Sequence, residues 1–390
     1  MADSSARTPP APIKVRDPVL GGLSATAFLR RYWQKEALVI RGALDGFRGP
    51  FTARDLFALA RRDDVESRLV VRAGARWSLR HGPFRRADFA ALPKRDWTLL
   101  VQGVNLVSPD GDALLRRFAF LPYARLDDLM VSYAAPGGGV GAHFDSYDVF
   151  LLQGFGRRRW RFGRQGDLSL KPRMPLKILK RFEPEQSETL SPGDMLYLPP
   201  QYAHDGVAID ACTTYSIGFR AASANELAAG FLDFLRDGLD LPGRYTDPDL
   251  APVRHPAEIG VAMQRRFERM LRDLAWDRST IARFIGCWLS EPKPHVAFDP
   301  PERPMAYGAF NARAARSGVS LDTRTQLLYD ATHFFINGTC LPWSAGGAQL
   351  LKTLANARAL APCAGGSVHR NASTTLYQWY RDGYLHTGTR

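Results

Sequence analysis

The stretch PGGGVGAHFDSYDVFLLQGFGRRRWRF, Pro136 to Phe162, alternates glycine-rich turns with extended runs. His143 and Asp145 open one run, two positions apart, and Arg157, Arg158 and Arg159 open the next. In a strand, residues i and i+2 point to the same side, so His143 and Asp145 can reach one ion while Phe144 turns into a barrel wall. A second stretch, LSPGDMLYLPPQYAHDGVA from Leu190 to Ala208, supplies a late histidine, His204. Here Gly193-Asp194 reads as a tight turn, Met195 to Leu198 as a strand, and Pro199-Pro200 as a break that aims the residues after it. Two histidines and one carboxylate on one face of a metal, with other positions open, make a non-haem Fe(II) centre that activates dioxygen. The joint pattern H-x-D and P-G-D-x-L-Y-x-P-P-x-x-x-H is therefore read as an iron site of His143, Asp145 and His204.

A centre of this type commonly takes a dicarboxylate electron donor. The distal carboxylate calls for a fixed cation inside the barrel, which arginine can supply in a bidentate way. In the strand Arg157 to Phe162, Trp160 and Phe162 are apolar and expected to face inward. Arg158 shares their parity, whereas Arg157, Arg159 and Arg161 face out, so Arg158 is the expected clamp. Thr214 or Ser216, on a late strand, can add a hydroxyl. His81, His255, His295, His333, His369 and His386 sit singly and read as solvated or hydrogen-bonded.

Outward from this centre, Thr26 to Lys35 reads as a helix with Phe28, Leu29 and Trp33 on one side, followed by a strand from Ala37 to Ile40. Phe51 to Ala60 reads as a second helix, with Thr52 as N-cap and Asp55 completing a capping box. From Ser67 to Val107 the pattern becomes short β-rich segments, including WTLLVQGVNLV, which suggests an antiparallel sandwich or barrel. LDDLMVSYAA, LKILKRF, DMLYLPP and TTYSIGFR continue it. The expectation is a disordered lead-in over 1–15 and a double-stranded β-helix, or jelly roll, over 16–222. A helical region over 223–300 opens on a Ser223/Glu226 capping box. Leu227, Phe231, Phe234 and Leu235 mark its first helix; Met263, Phe267, Met270, Leu271 and Leu274 its second; Ile281 to Leu289 its third. These apolar faces can pack on the barrel or on a second copy of the chain. Past the Pro-rich SEPKPHVAFDPPERP, residues 301–390 read as a winged-helix-like α/β module. It has a hairpin at Asn337-Gly338, a helix carrying Leu350, Leu351 and Leu354, and another carrying Leu376 and Trp379.

The bulk numbers set limits. A chain of 390 residues, 45% hydrophobic, can fill more than one core. Its net charge of +13 suits an acidic partner or residence near nucleic acid, but the excess is scattered arginine. No basic recognition helix is evident, so direct nucleic-acid binding is left open. Cys212, Cys287, Cys340 and Cys363 form no C-x-x-C pair, which argues against a zinc ribbon and suits a reducing cytoplasm. No apolar run approaches the roughly 18 residues needed to span a bilayer.

The sequence resembles the JmjC/cupin-type ribosomal oxygenases, most closely the bacterial branch that hydroxylates an arginine of large-subunit ribosomal protein sixteen. The resemblance lies in LDDLMVSYAAPGGGVGAHFDSYDVFLLQGFGRRRWRFG, SPGDMLYLPPQYAHDGVA and TTYSIGFRA. FLRRYWQKEALVIRGA, HGPF and WTLLVQGVN extend it, so that it covers about residues 25 to 235. It implies a jelly-roll oxygenase domain, a helical dimerisation region forming a homodimer, and a C-terminal winged-helix-like domain. It also implies Fe(II) on His143, Asp145 and His204, and 2-oxoglutarate held by Arg158. One departure is Ala134-Ala135, where a hydroxyl-bearing residue was expected, which raises the weight on Thr214.

On that resemblance the substrate side can be argued physically. A guanidinium entering a pocket must meet a carboxylate or lose several kcal/mol on desolvation. Asp128 is assigned the guanidinium, Tyr147 the stacking contact, and Met130 and Ser216 the walls. A histidine of a ribosomal protein is the rival target. N-methyl demethylation on the same fold, and a non-catalytic cupin scaffold that binds the ribosome, are the rival activities.

Overall fold

The computed structural model describes residues 19–388 apart from 239–243, 249, 253, 273, 344–346 and 363–369. The expected lead-in over 1–15, Cys363 and His369 therefore lie outside the described residues. In chain order the first elements are α1 (Ala25–Arg31), β1 (Leu38–Ile40), α2 (Ala53–Leu59), β2 (Ser67–Ala73), β3 (Arg76–His81), α3 (Arg86–Ala90), β4 (Trp97–Val101), α4 (Val104–Val107) and α5 (Pro109–Arg116). The strands β5 (Leu126–Ala134), β6 (Val149–Phe155), β7 (Arg158–Gly163), β8 (Gln186–Leu190), β9 (Met195–Leu198), β10 (Ala203–Ala208) and β11 (Cys212–Phe219) follow.

These strands form two antiparallel sheets, as expected for a jelly roll. The larger runs β1-β9-β6-β11-β5-β4-β2-β3 and the smaller β10-β7-β8. Strand alternation gives the larger sheet two faces. Leu129, Val131, Phe150, Leu152, Tyr215 and Ile217 on one face join Phe28 and Leu56 from the flanking helices, and Phe118 from the turn after α5, in the main core. On the other face, Val149, Leu151, Leu196 and Leu198 pack with Trp160, Phe162 and Leu190 of the small sheet. Asp128, Met130, Ser132, Thr214 and Ser216 share the parity of this second face, so the lumen between the sheets is part polar.

The glycine-rich turn before His143 lies on backbone. A Cβ on Gly138 would strike the Trp97 carbonyl, and one on Gly139 would sit 2.5 Å from the Gly206 carbonyl oxygen. Gly137 N donates to Ala208 O at 2.8 Å and Ala208 N donates to Gly138 O at 2.9 Å. Only side-chain-free residues can thread this gap between β4 and β10.

Several sequence expectations need correction. The first helix ends at Arg31 rather than Lys35, and Gln34 turns through a left-handed φ of 57°. WTLLVQGVNLV is a strand only to Val101; Gly103 at φ 62° breaks it and α4 begins. LKILKRF forms no strand and contributes one isolated bridge, Leu170 to Leu179. The Thr52/Asp55 capping box is present in full.

The chain forms two compact units, residues 1–221 with 293–325 and 349–390, and residues 222–292 with 326–348. The second holds α6 (Ala224–Gly238), α7 (Val261–Arg272) and α8 (Arg278–Ser290). The Ser223/Glu226 capping box is formed by donation from Glu226 N to Ser223 Oγ at 3.1 Å and from Ser223 N to Glu226 Oε2 at 2.7 Å. The first unit continues with α9 (Tyr307–Ser317) and β12 (Val319–Leu321). The second continues with β13 (Leu327–Tyr329), β14 (His333–Ile336) and β15 (Thr339–Pro342). The expected Asn337-Gly338 turn joins β14 to β15, with both residues at positive φ. The chain ends in the first unit with α10 (Ala348–Ala357), β16 (Ala359–Leu360), α11 (Arg370–Arg381) and β17 (Leu385–Thr387), where β16-β12-β17 form a small sheet. Among the described residues no helix is long and apolar enough to cross a membrane.

Candidate metal centre and active-site lumen

The two histidines meet through backbone. His143 N donates to His204 O at 2.9 Å and His204 N donates to His143 O at 2.8 Å, an isolated antiparallel bridge that sets the rings 4.2 Å apart. The sequence expectation of a continuous strand through H-x-D is not met. Asp145 follows in irregular chain, fixed where Gln201 N donates to its carbonyl at 2.7 Å, and Phe144 is only half-buried. The residues converge nonetheless: one ligand atom from each of His143, Asp145 and His204 lies within 4.8 Å of the others.

The donor set fits a divalent transition metal. Nδ1 of His143 is 2.9 Å from the Gly141 carbonyl and Nδ1 of His204 is 2.9 Å from the Tyr202 carbonyl. A carbonyl can only accept, so each Nδ1 carries the proton and each Nε2 lone pair is left for an ion. Burial first, and then the neighbouring His143, push the His204 pKa down to about 4, which keeps it in the neutral ligand form at pH 7.

Deeper in the lumen, Arg158 is 5% exposed and donates from one terminal nitrogen to Ser132 Oγ at 3.2 Å and Thr214 Oγ1 at 3.1 Å. Thr214 in turn donates to Gln153 Oε1 at 3.1 Å. The guanidinium lies 5.3 Å from the Trp160 ring, and Trp160 lies 6.0 Å from His204, so one indole separates the two. Arg158 Nε is buried without a hydrogen-bond partner, and no carboxylate pairs with Arg158 among the described residues. Its neighbours differ. Arg157 pairs with Asp210 at 2.9 Å, Arg161 pairs with Asp205 at 2.5 Å, and Arg159 is exposed. Such a cation suits an incoming carboxylate, because an unpaired buried charge costs several kcal/mol. Sequence reading missed Ser132 and Gln153. The signal for Ser132 was present, since it extends the Asp128–Met130 parity by one step.

Toward the other end of the lumen, Met130 faces Ser216 in register. Asp128 Oδ1 lies 3.5 Å, and a Tyr147 ring carbon 3.9 Å, from where a Cβ on Gly218 would stand. Asp128, Met130, Tyr147 and Ser216 are thus brought to one region, although Tyr147 reaches it from a bend and is 41% exposed. Asp128 is 4% exposed and accepts from Gln102 Nε2 at 2.5 Å and from Gly103 N at 3.2 Å. Burial raises its pKa, and the Lys293 ammonium 3.7 Å away opposes the rise. Arg68 approaches Met130 Sδ at 3.8 Å and donates to Gln102 Oε1 at 3.1 Å. Gln102, Arg68 and Lys293 were not foreseen, since nothing local in the sequence marks them.

Comparison with known proteins agrees with this layout. Residues 113–227 match the JmjC domain family and residues 273–386 the ROXA-like winged helix family. The chain is 39% identical over 281 residues to the ribosomal protein uL16 3-hydroxylase of Escherichia coli K12, covering 71% of this chain and 74% of that protein. It is 41% identical over 227 residues to a probable ribosomal oxygenase of Haemophilus influenzae, covering 57% and 54%. The X-ray structure of E. coli ycfD superposes with a TM-score of 0.80 at 33% identity, over 94% of this chain and 98% of that one. The same E. coli protein in complex with cobalt and 2-oxoglutarate superposes at 0.78 with 33% identity and the same coverage.

Proposed function

The chain belongs to the JmjC-type ribosomal oxygenases, and from that premise we propose that it hydroxylates an arginine side chain of large-subunit ribosomal protein uL16. It is a 2-oxoglutarate-dependent dioxygenase with Fe(II) as its metal. His143, Asp145 and His204 hold the iron, and Arg158, supported by Ser132 and Thr214, clamps the distal carboxylate of 2-oxoglutarate. The observation that carries this reading is the pairing of a three-ligand centre with a buried, uncompensated guanidinium one indole away. Bound there, iron and 2-oxoglutarate supply the oxidation: O2 is consumed, succinate and CO2 are released, and one oxygen atom enters a C–H bond as hydroxyl.

The chain's own residues do the rest. The Gly141 and Tyr202 carbonyls hold both imidazoles in the ligating tautomer. The apolar layer of Val149, Leu151, Trp160 and Phe162 keeps water from the reacting region. Asp128 accepts the guanidinium, Tyr147 stacks on it, and Met130 and Ser216 form the walls, so that one C–H bond is presented to the metal. A buried carboxylate favours a cationic guanidinium over the neutral imidazole of the rival substrate.

The remaining assignments follow the same reading. Residues 16–222 are the oxygenase domain, 223–300 a region through which two copies pair as a homodimer, and 301–390 the winged-helix-like domain. The site of action is the cytoplasm, where ribosomal proteins are made. The test is mass spectrometry of uL16 from cells with and without the gene. We expect a +16 Da arginine that disappears with the gene, is restored by the wild-type chain, and is not restored by His143→Ala. An unmodified uL16 in the wild-type cells would rule out the substrate.

A further inference from the structure

Lys293 lies outside both the metal ligands and the arginine clamp, in a segment without helix or strand between Pro292 and Pro294. Its ammonium stands 3.2 Å from Asp127 Oδ1 and 3.7 Å from Asp128 Oδ2. Arg220 Nε lies 3.7 Å from the same Asp127 oxygen. Two carboxylates thus face two cations, and the cluster is neutral. We propose that Lys293 occupies the place of the substrate's guanidinium in the free enzyme, and that the exchange of one cation for the other makes the pocket selective for arginine. This rests on the reading of Asp128 as the group that receives the substrate arginine.

The partners differ in how firmly they are held. The Asp128 side chain is 5% exposed, and its Oδ2 also accepts from Gln102 and Gly103, so the acid is part of the wall. The Lys293 side chain is 27% exposed and hangs from irregular chain, so it can swing into water and be solvated there. Asp128 Oδ1 lies 3.5 Å from where a Cβ on Gly218 would stand, a place that glycine leaves without a side chain of its own, beside the Tyr147 ring. A guanidinium arriving at Asp128 would leave the cluster with an excess positive charge unless Lys293 left. With Lys293 displaced, neutrality is restored and both acids are again paired. A neutral side chain gains nothing from this site. If Lys293 stays, the carboxylates are already occupied; if it leaves, they are stranded, a cost that buried charges impose heavily. Lys293 thus acts as a filter that a cation can pass and an imidazole or a urea cannot.

The filter makes a quantitative prediction. A partly exposed lysine–carboxylate contact contributes little, so the competition it imposes corresponds to an affinity factor of up to about five. The experiment compares wild type with Lys293→Met and Lys293→Arg, using synthetic uL16 peptides that carry arginine or its neutral isostere citrulline. Fluorescence anisotropy gives Kd, and KM for hydroxylation of the arginine peptide is measured in parallel. Lys293→Met should bind the arginine peptide about two- to fivefold more tightly, with KM falling in step. The gap between arginine and citrulline peptides should narrow, because the neutral side chain then has no ammonium to displace, and Lys293→Arg should keep wild-type values. An arginine-peptide Kd that is unchanged or weaker in Lys293→Met would overturn the exchange.

A second measurement needs no variant and covers the case of a misfolded one. Acetylation footprinting of wild-type protein should show Lys293 becoming more reactive when the arginine peptide is added, and not with citrulline. Equal or reduced labelling would refute the displacement. If wild type turns over 2-oxoglutarate but neither binds nor hydroxylates any uL16 arginine peptide, the substrate reading fails and takes the exchange with it. If it hydroxylates the peptide and the Lys293 readouts stay flat, only the exchange fails.

Discussion

A guanidinium sealed from water with no carboxylate paired to it among the described residues is an incomplete arrangement, and Arg158 is held in that state by two hydroxyls and an indole face. A bound dicarboxylate would complete it through charge-assisted hydrogen bonds, each contributing about 1.5–3 kcal/mol. Arg158→Ala should therefore raise KM for 2-oxoglutarate by about 10- to 100-fold, read from succinate release. Arg158→Lys should recover only part of this, because an ammonium is a point donor without the planar fork. An unchanged KM in Arg158→Ala would show that the carboxylate binds elsewhere. His204 makes a separate prediction about pH. Its pKa falls from 6.5 to about 4 on folding, chiefly through burial. Between those values the unfolded chain binds a proton that the folded chain refuses, so stability is full above pH 6.5 and is lost as pH falls toward 4. The loss amounts to about 3 kcal/mol. Urea unfolding of metal-free protein at stepped pH should show it, and His204→Gln should flatten that part of the slope. A slope identical in the variant would remove His204 as its source.

The elements show which parts of the site can be read locally and which cannot. Arg158, Trp160 and Phe162 were legible because alternation in a strand is a property of the strand alone, and β7 keeps it from Arg158 to Phe162. The Thr52/Asp55 and Ser223/Glu226 capping boxes were legible for the same reason. Other features depend on a partner. LKILKRF is apolar enough for a strand, yet a strand exists only where another edge offers hydrogen bonds, and this segment meets just one bridge. H-x-D works without a strand because His204 pairs with His143 across the sheet gap, which no local pattern reveals. Helix α5 was missed although its signals were present: Ser108 accepts from Gly111 N, Pro109 stands at the first position, and Asp110 and Asp112 fill the first turn. The tight packing of β10 on β7 gives an element-scale prediction. A Cβ on Gly206 would lie 2.5 Å from the Trp160 ring, the indole between His204 and Arg158. Gly206→Ala should cost about 1–3 kcal/mol by overpacking. It should also weaken cobalt and 2-oxoglutarate binding together, measured by calorimetric titration. Normal affinity for both would mean that Trp160 does not link the two sites.

At the scale of the whole molecule, the net charge of +13 says little about fold and does not single out the lumen, whose cations are matched there to particular acids or left for a ligand. Apolar patterning in the helical region is more informative. Leu232 is 65% exposed, Phe267 49%, Leu271 61%, Trp276 52% and Ile285 42%, all on or beside α6, α7 and α8. Large apolar side chains gathered this way on one unit mark a surface that gains free energy by being covered. The sequence left open whether the barrel or a second copy covers these helices, because periodicity shows that a face is apolar but not what lies against it. A homodimer is the occupant we propose, and a stable one must bury upward of about 1,200 Å² in total. Light scattering of the purified chain should then give twice its 43.4 kDa mass. Leu232→Glu with Leu271→Glu should return it to a single-chain mass. Both side chains are mostly in water in the isolated chain, so circular dichroism should show the helices intact. The buried lumen should keep its metal affinity in that monomer, since His143, Asp145, His204 and Arg158 all lie within one unit of one chain. A wild-type mass of 43.4 kDa at micromolar concentration would leave this apolar surface without a second copy to explain it.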